Sequence, residues 1–177
     1  MTGPAVVLVG PMGVGKSTIG AILAERLGLA CRDTDQDIVE TAGKPISEIF
    51  LDEGETHFRE LERAAVREAL AEHTGILALG GGAVLAEETR ALLAGRPVVF
   101  LEMGLGEAVK RVGLDAPRPL LMINPRQQWR KLMEERRPLY TEVARAVVST
   151  EDRTPDEVAD EILAALELQP TQPEKQQ

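Results

Sequence analysis

The sequence predicts an α/β protein of three layers, with a mainly parallel central sheet of about five strands flanked by helices. Short β-branched and apolar runs alternate along the chain with stretches whose apolar residues recur at helical spacing. A glycine-rich turn joins the first run to the first helix. The length of 177 residues, 44% of them hydrophobic, suits a single domain around one core.

The first run, residues 5–9, is Ala-Val-Val-Leu-Val closed by Gly10, the pattern of a strand buried on both faces. Ile19, Ile22, Leu23 and Leu27 then follow helical spacing, and Gly28 supplies a stop. Residues 29–32 read as a weak second strand with Asp33-Thr34-Asp35 at its carboxyl end. Charged helical stretches fill residues 35–71, broken near Gly43-Lys44-Pro45 and again near Gly54. A third strand over 76–79 opens into Gly80-Gly81-Gly82, followed by a helix over 86–94 and a strand over 97–101.

Residues 113–125 carry three prolines and little periodicity, so they are expected to form a mobile surface segment able to serve as a lid. Trp129, Leu132 and Met133 then share a helical face suited to core packing, and Pro138 is expected to end that helix. A last strand falls at 146–148. Thr154-Pro155 supplies an N-cap and a first-turn proline to a final helix with the apolar face Val158, Ile162, Leu163 and Leu166. The chain from Gln169 onward is polar and expected to be disordered, which sets a domain over 1–168 and a tail over 169–177.

A formal net charge of −9 disfavours a nucleic-acid surface, which needs a basic face. No apolar run approaches the roughly 20 residues of a spanning helix, and the N-terminus lacks a basic start and cleavage site, so a cytoplasmic protein without membrane contact is expected. Cys31 is the only cysteine and is expected to be a small buried strand residue. With only His57 and His73 besides, any metal should be a hard, oxygen-bound ion.

Gly10-Pro11-Met12-Gly13-Val14-Gly15-Lys16-Ser17 matches G-x-x-x-x-G-K-[ST] in full, between a predicted strand and a predicted helix. Its glycines let the backbone curl so that successive N–H groups face phosphates, and the helix presents its positive end to them. Lys16 can bridge the outer phosphates and Ser17 can ligate Mg²⁺. A guanine-reading N-K-x-D motif is impossible, because Asn124 is the only asparagine and Pro125-Arg126 follow it; no D-x-x-G exists. A GTPase switch is therefore disfavoured, and a motor ATPase needs a larger chain.

Phosphoryl transfer needs a pocket that holds a hydroxyl in line with the γ-phosphate and cations that neutralise the transferred group. Arg59, Arg111, Arg118, Arg136 and Arg137 are candidates, yet each also reads as a solvated surface charge, and pattern alone does not choose among them. Asp33 and Asp35 read equally as helix caps or as carboxylates able to orient an alcohol.

The phosphate loop, Asp33-Thr34-Asp35, Phe58-Arg59, Gly80-Gly81-Gly82-Ala83, Arg118-Pro119-Leu120-Leu121 and Arg136-Arg137-Pro138-Leu139-Tyr140 occur in the order seen in shikimate kinases, which the chain resembles over residues 5–166. The resemblance implies a P-loop kinase fold with a mobile lid and transfer from MgATP to the 3-hydroxyl of shikimate, a step toward chorismate and the aromatic amino acids. It implies catalytic roles for Lys16, Asp35 and Arg118. It places ATP on Gly13, Val14, Gly15, Lys16, Ser17, Thr18, Arg111, Arg118 and Arg153. Shikimate falls to Asp35, Arg59, Gly81, Gly82 and Arg136, with the two arginines on its carboxylate. The resemblance also implies one Mg²⁺ per ATP at Ser17 and Asp33, with Mn²⁺ as a substitute.

Met12 and Val14 depart from common family forms where the backbone does the binding, and His57 stands where relatives often carry a carboxylate or amide. Motif alignment favours Arg136 over Arg137 as the inward guanidinium. The resemblance implies a monomer. Two readings compete with it: a kinase for another hydroxy acid such as gluconate, and a catalytically silent nucleotide-binding regulator.

Overall fold

The computed structural model describes residues 3–104 and 125–171. Most of the expected lid over 113–125, and with it Arg111 and Arg118, lies outside the described residues, as does the tail from 172. The strands are β1 (Val6–Val9), β2 (Cys31–Asp33), β3 (Ile76–Ala78), β4 (Val98–Glu102) and β5 (Ala146–Ser149). The helices among the described residues are α1 (Lys16–Leu27), α2 (Thr34–Ala42), α3 (Ile46–Glu72), α4 (Glu87–Leu93), α5 (Pro125–Val143) and α6 (Pro155–Ala165).

The strands form one sheet in the order β2-β3-β1-β4-β5, and every pairing is parallel. All carboxyl ends therefore lie along the same edge. The chain fills one side of β1 with β2 and β3, then crosses to place β4 and β5 on the other. Such a switch in direction opens a crevice beyond the strand ends, where ligands of open parallel sheets bind. The central strands explain their composition: Val6 to Val9, Ile76 to Ala78 and Val98 to Leu101 are buried, as strands covered on both faces must be. A satellite cluster of Ile38, Ile49 and Phe58 joins α2 to α3.

Gly54 has φ 85° and ψ 168°, which interrupts α3 at the predicted break. Two expectations fail. Cys31 is exposed, because β2 is an edge strand, although its sulfur faces α1 near Gly20. Pro138 lies inside α5 rather than at its end. The missing N–H weakens one turn, but Tyr140 and Val143 beyond it are buried, and their packing carries the helix through. At the far end of the chain, the N–H of Thr171 donates to the Arg26 carbonyl at 2.9 Å.

Candidate active site

The loop after β1 wraps because three glycines take backbone geometry that other residues resist. Gly10, Gly13 and Gly15 have φ of 150°, 81° and 100°. A Cβ on Gly10 would also stand 2.5 Å from the Leu101 carbonyl oxygen. Val14 turns its side chain into the core at 1% exposure, which anchors the loop while its backbone remains available. Lys16 opens α1, and its Nζ donates to the carbonyls of Gly10 at 2.7 Å and Pro11 at 3.0 Å. Gly13, Val14, Gly15, Thr18 and Arg153 line a cavity of about 370 Å³ against α6. Arg153 is exposed and ion-paired with Glu161.

Asp33 ends β2 and caps α2, its Oδ1 accepting from the Asp35 N–H at 2.8 Å. Its other oxygen, Oδ2, accepts from the Ser17 hydroxyl at 3.2 Å. One carboxylate thus caps α2 and meets the phosphate-loop serine. The all-oxygen pair of Ser17 and Asp33 fits a hard ion such as Mg²⁺ that keeps waters and leans on phosphates. Among the described residues, no group of three or more His, Cys, Asp and Glu side chains could hold an ion alone.

Asp35 lies one residue into α2, against the triglycine that follows β3. A Cβ on Gly80 would stand 2.5 Å from Asp35 Oδ1 and 3.1 Å from Glu62 Oε2, so glycine is what lets the two carboxylates sit there. Burial pushes the Asp35 carboxyl up to about 6; Asp33 and Glu62 add to the shift, while Lys16 and Arg59 oppose it. The Gly80 N–H donates to the hydroxyl of the fully buried Thr34 at 3.3 Å.

Arg59 and Arg136 approach the same triglycine from α3 and α5. A side chain on Gly82 would collide with the Arg59 guanidinium. A Cβ on Gly81 would stand 3.7 Å from Arg136 Nη1, 3.4 Å from the Met12 N and 3.6 Å from the Gly10 carbonyl oxygen. Gly81 is therefore the seam between phosphate loop and arginine pair. Both arginines bury an Nε that has no hydrogen-bond partner. Arg136 is 6% exposed, whereas Arg137 turns outward to Glu102, which settles which guanidinium faces inward.

Pattern reading missed Glu62, which is 4% exposed and accepts from Arg59 Nη1 at 2.9 Å. Burial raises its pKa, opposed by Arg59, Arg136 and Arg63. Its spacing three residues after Arg59 on one helix face was the available signal. Arg59, Glu62, Arg63 and Leu85 line a cavity of about 360 Å³. His57 sits outside this group, 3.5 Å from Glu53 and partly exposed.

A parallel sheet with a glycine-rich phosphate loop at its crevice, beside a triglycine that two inward arginines approach, defines a P-loop kinase of small metabolites. The family model described as shikimate kinase matches residues 12–167. A shikimate kinase of Streptomyces avermitilis is 67% identical over 168 residues, covering 95% of this chain and 98% of that one. One from Streptomyces coelicolor is 65% identical over the same shares of each chain. The structure of a shikimate kinase from Acinetobacter baumannii in complex with shikimate is 38% identical, with a TM-score of 0.86 and 92% of each chain covered. The chain belongs to the shikimate kinase family.

Proposed function

We propose that this chain transfers the γ-phosphoryl group of MgATP to the 3-hydroxyl of shikimate, giving ADP and shikimate 3-phosphate. The observation that carries the reading is the convergence at Gly81, where the phosphate-loop backbone adjoins Arg136, with Arg59 and Asp35 beside the flanking glycines. A small hydroxy acid suits this arrangement. Its carboxylate satisfies the orphaned guanidinium N–H groups, since planar donors can meet both oxygens. Its hydroxyl then falls to Asp35, and the family membership selects shikimate among such acids.

In the reaction the acceptor oxygen bonds to the γ-phosphorus as the bond to the β-bridging oxygen breaks. Asp35 orients the hydroxyl and accepts its proton. A carboxyl with a pKa near 6 is ionised at neutral pH yet basic enough to take a proton as the bond forms. Backbone N–H groups of Gly13 to Ser17, with Lys16, hold the phosphates; Gly81 and Gly82 offer N–H groups to the acceptor. Ser17, with Asp33 behind it, would hold Mg²⁺, which when bound would neutralise charge on the phosphates. Thr18, Arg111 and Arg153 complete the nucleotide side, and Arg118 neutralises charge on the transferred group.

The test is ADP release from MgATP with shikimate, with gluconate and with no acceptor in parallel. Strong release that depends on shikimate is the expected result. Faster release with gluconate would overturn the choice of acceptor, and no release with any acceptor would favour the silent nucleotide-binding regulator.

A further inference from the structure

Tyr140 is the chain's only tyrosine, lies 0% exposed, and follows a proline that the helix tolerates only because the residues beyond it are packed. Its ring packs on Phe100 of β4 with centroids 4.9 Å apart. A phenylalanine would serve that packing equally well. The hydroxyl does something further: it donates to the Gly81 carbonyl oxygen at the seam between the two halves of the site. Arg136, four residues earlier on the same helix, brings its Nη1 to the same glycine, 3.7 Å from where a Cβ on Gly81 would stand, and it opposes the burial that pushes the phenol up to about 12. No other donor reaches the Gly81 carbonyl, and no protein acceptor takes the N–H of Gly81 or Gly82, among the described residues.

We propose that Tyr140 is a positioning residue for the acceptor: its hydroxyl fixes the Gly81–Gly82 peptide plane and the stance of Arg136 together. The geometry of a trans peptide explains how. Carbonyl and N–H point in opposite directions across the plane, so drawing the Gly81 oxygen toward the core turns the Gly82 N–H away from it. Glycines on either side leave that plane free to rotate unless something holds it. The hydroxyl is the holding group, and it ties the backbone donors to the arginine in one piece. The inference rests on the assignment of Gly81, Gly82 and Arg136 to the acceptor.

The experiment is Tyr140→Phe, which keeps the ring and removes the oxygen, assayed by steady-state kinetics beside the unaltered protein. The expected result is a rise in the KM for shikimate of about tenfold, the KM for ATP within about twofold, and a smaller change in kcat, as loss of preorganised ground-state binding dictates. A shikimate KM within twofold of the unaltered protein overturns the proposal, as does an equal rise in both KM values. Failure of the unaltered protein to turn over shikimate at all would instead remove the assignment on which the proposal stands.

A second measurement serves if the variant does not fold. With tyrosine ¹³C-labelled at the ring carbon bearing oxygen, the full chain gives one unambiguous NMR signal. It should shift on saturation with shikimate and stay in place with ADP alone. A signal indifferent to shikimate overturns the proposal.

Discussion

The proposed nucleotide side and the proposed acceptor side meet at Gly81 but are built on opposite plans. The phosphate loop is a continuous stretch from Gly10 to Ser17, shaped by positive-φ glycines and presenting backbone. The acceptor side is assembled from side chains on three helices, Asp35 on α2, Arg59 and Glu62 on α3, and Arg136 on α5, around a triglycine after β3. Backbone donors are neutral and need little burial. The acceptor side gathers two carboxylates and two guanidinium groups in partly dry surroundings, where charges shift one another's pKa. Apart from Lys16 and Ser17, side-chain substitutions in the loop should therefore be felt less than those on the acceptor side.

The sharpest test is Asp35→Asn. Removing the proton acceptor while preserving shape should lower kcat by about a thousandfold, with ATP binding by calorimetry unchanged. Near-normal turnover would take Asp35 out of the mechanism. Next in size is Arg136→Ala, which should raise the KM for shikimate about a hundredfold and leave that for ATP within about threefold, since a buried charge-assisted pair is lost. Equal losses on both substrates would mean the two halves are not energetically separate.

A matched pair probes the comparison more finely. Gly80→Ala forces a methyl toward Asp35 and Glu62, so kcat/KM for shikimate should fall about tenfold through overpacking. Met12→Ala, in the phosphate loop but beside the same seam, should change either KM by less than about threefold, because the loop binds through backbone. If Met12→Ala costs as much as Gly80→Ala, the distinction between backbone-built and side-chain-built halves fails.

The same distinction governs what sequence could reveal. The loop announces itself because residues adjacent in chain are adjacent in function, and the buried strands announce themselves through unbroken apolar runs. The acceptor side was reached only through family resemblance, since Asp35, Arg59 and Arg136 are separated by long intervals and each fits an exposed surface equally well. Glu62 is not singled out by the pattern, and Tyr140 enters only as the end of a family motif with no role of its own, because the importance of both lies in what they touch across the fold. Cys31 and Pro138 were misjudged for a related reason: strand order decides which strand is an edge, and tertiary packing decides whether a proline ends a helix.

The smallest expected effect concerns stability and should run opposite to activity. In the metal-free, ligand-free protein, Asp35 has its pKa raised from 3.8 to about 6, so the folded state favours the protonated carboxyl. Its penalty is absent below about pH 4, grows as pH rises between the unfolded and folded values, and is complete above about 6. Asparagine carries no such charge. Asp35→Asn should therefore melt higher than the unaltered protein at pH 7.5, by an amount on the order of 1 kcal/mol or about 2–4 °C, and the two should converge near pH 4. Scanning calorimetry at both values decides it. A difference that persists unchanged at pH 4 would show that packing rather than charge separates the two proteins; no difference at either pH would mean that the carboxylate is solvated well enough to ionise normally. The expected pattern would show an acceptor pocket holding a charge that costs stability until substrate and metal arrive.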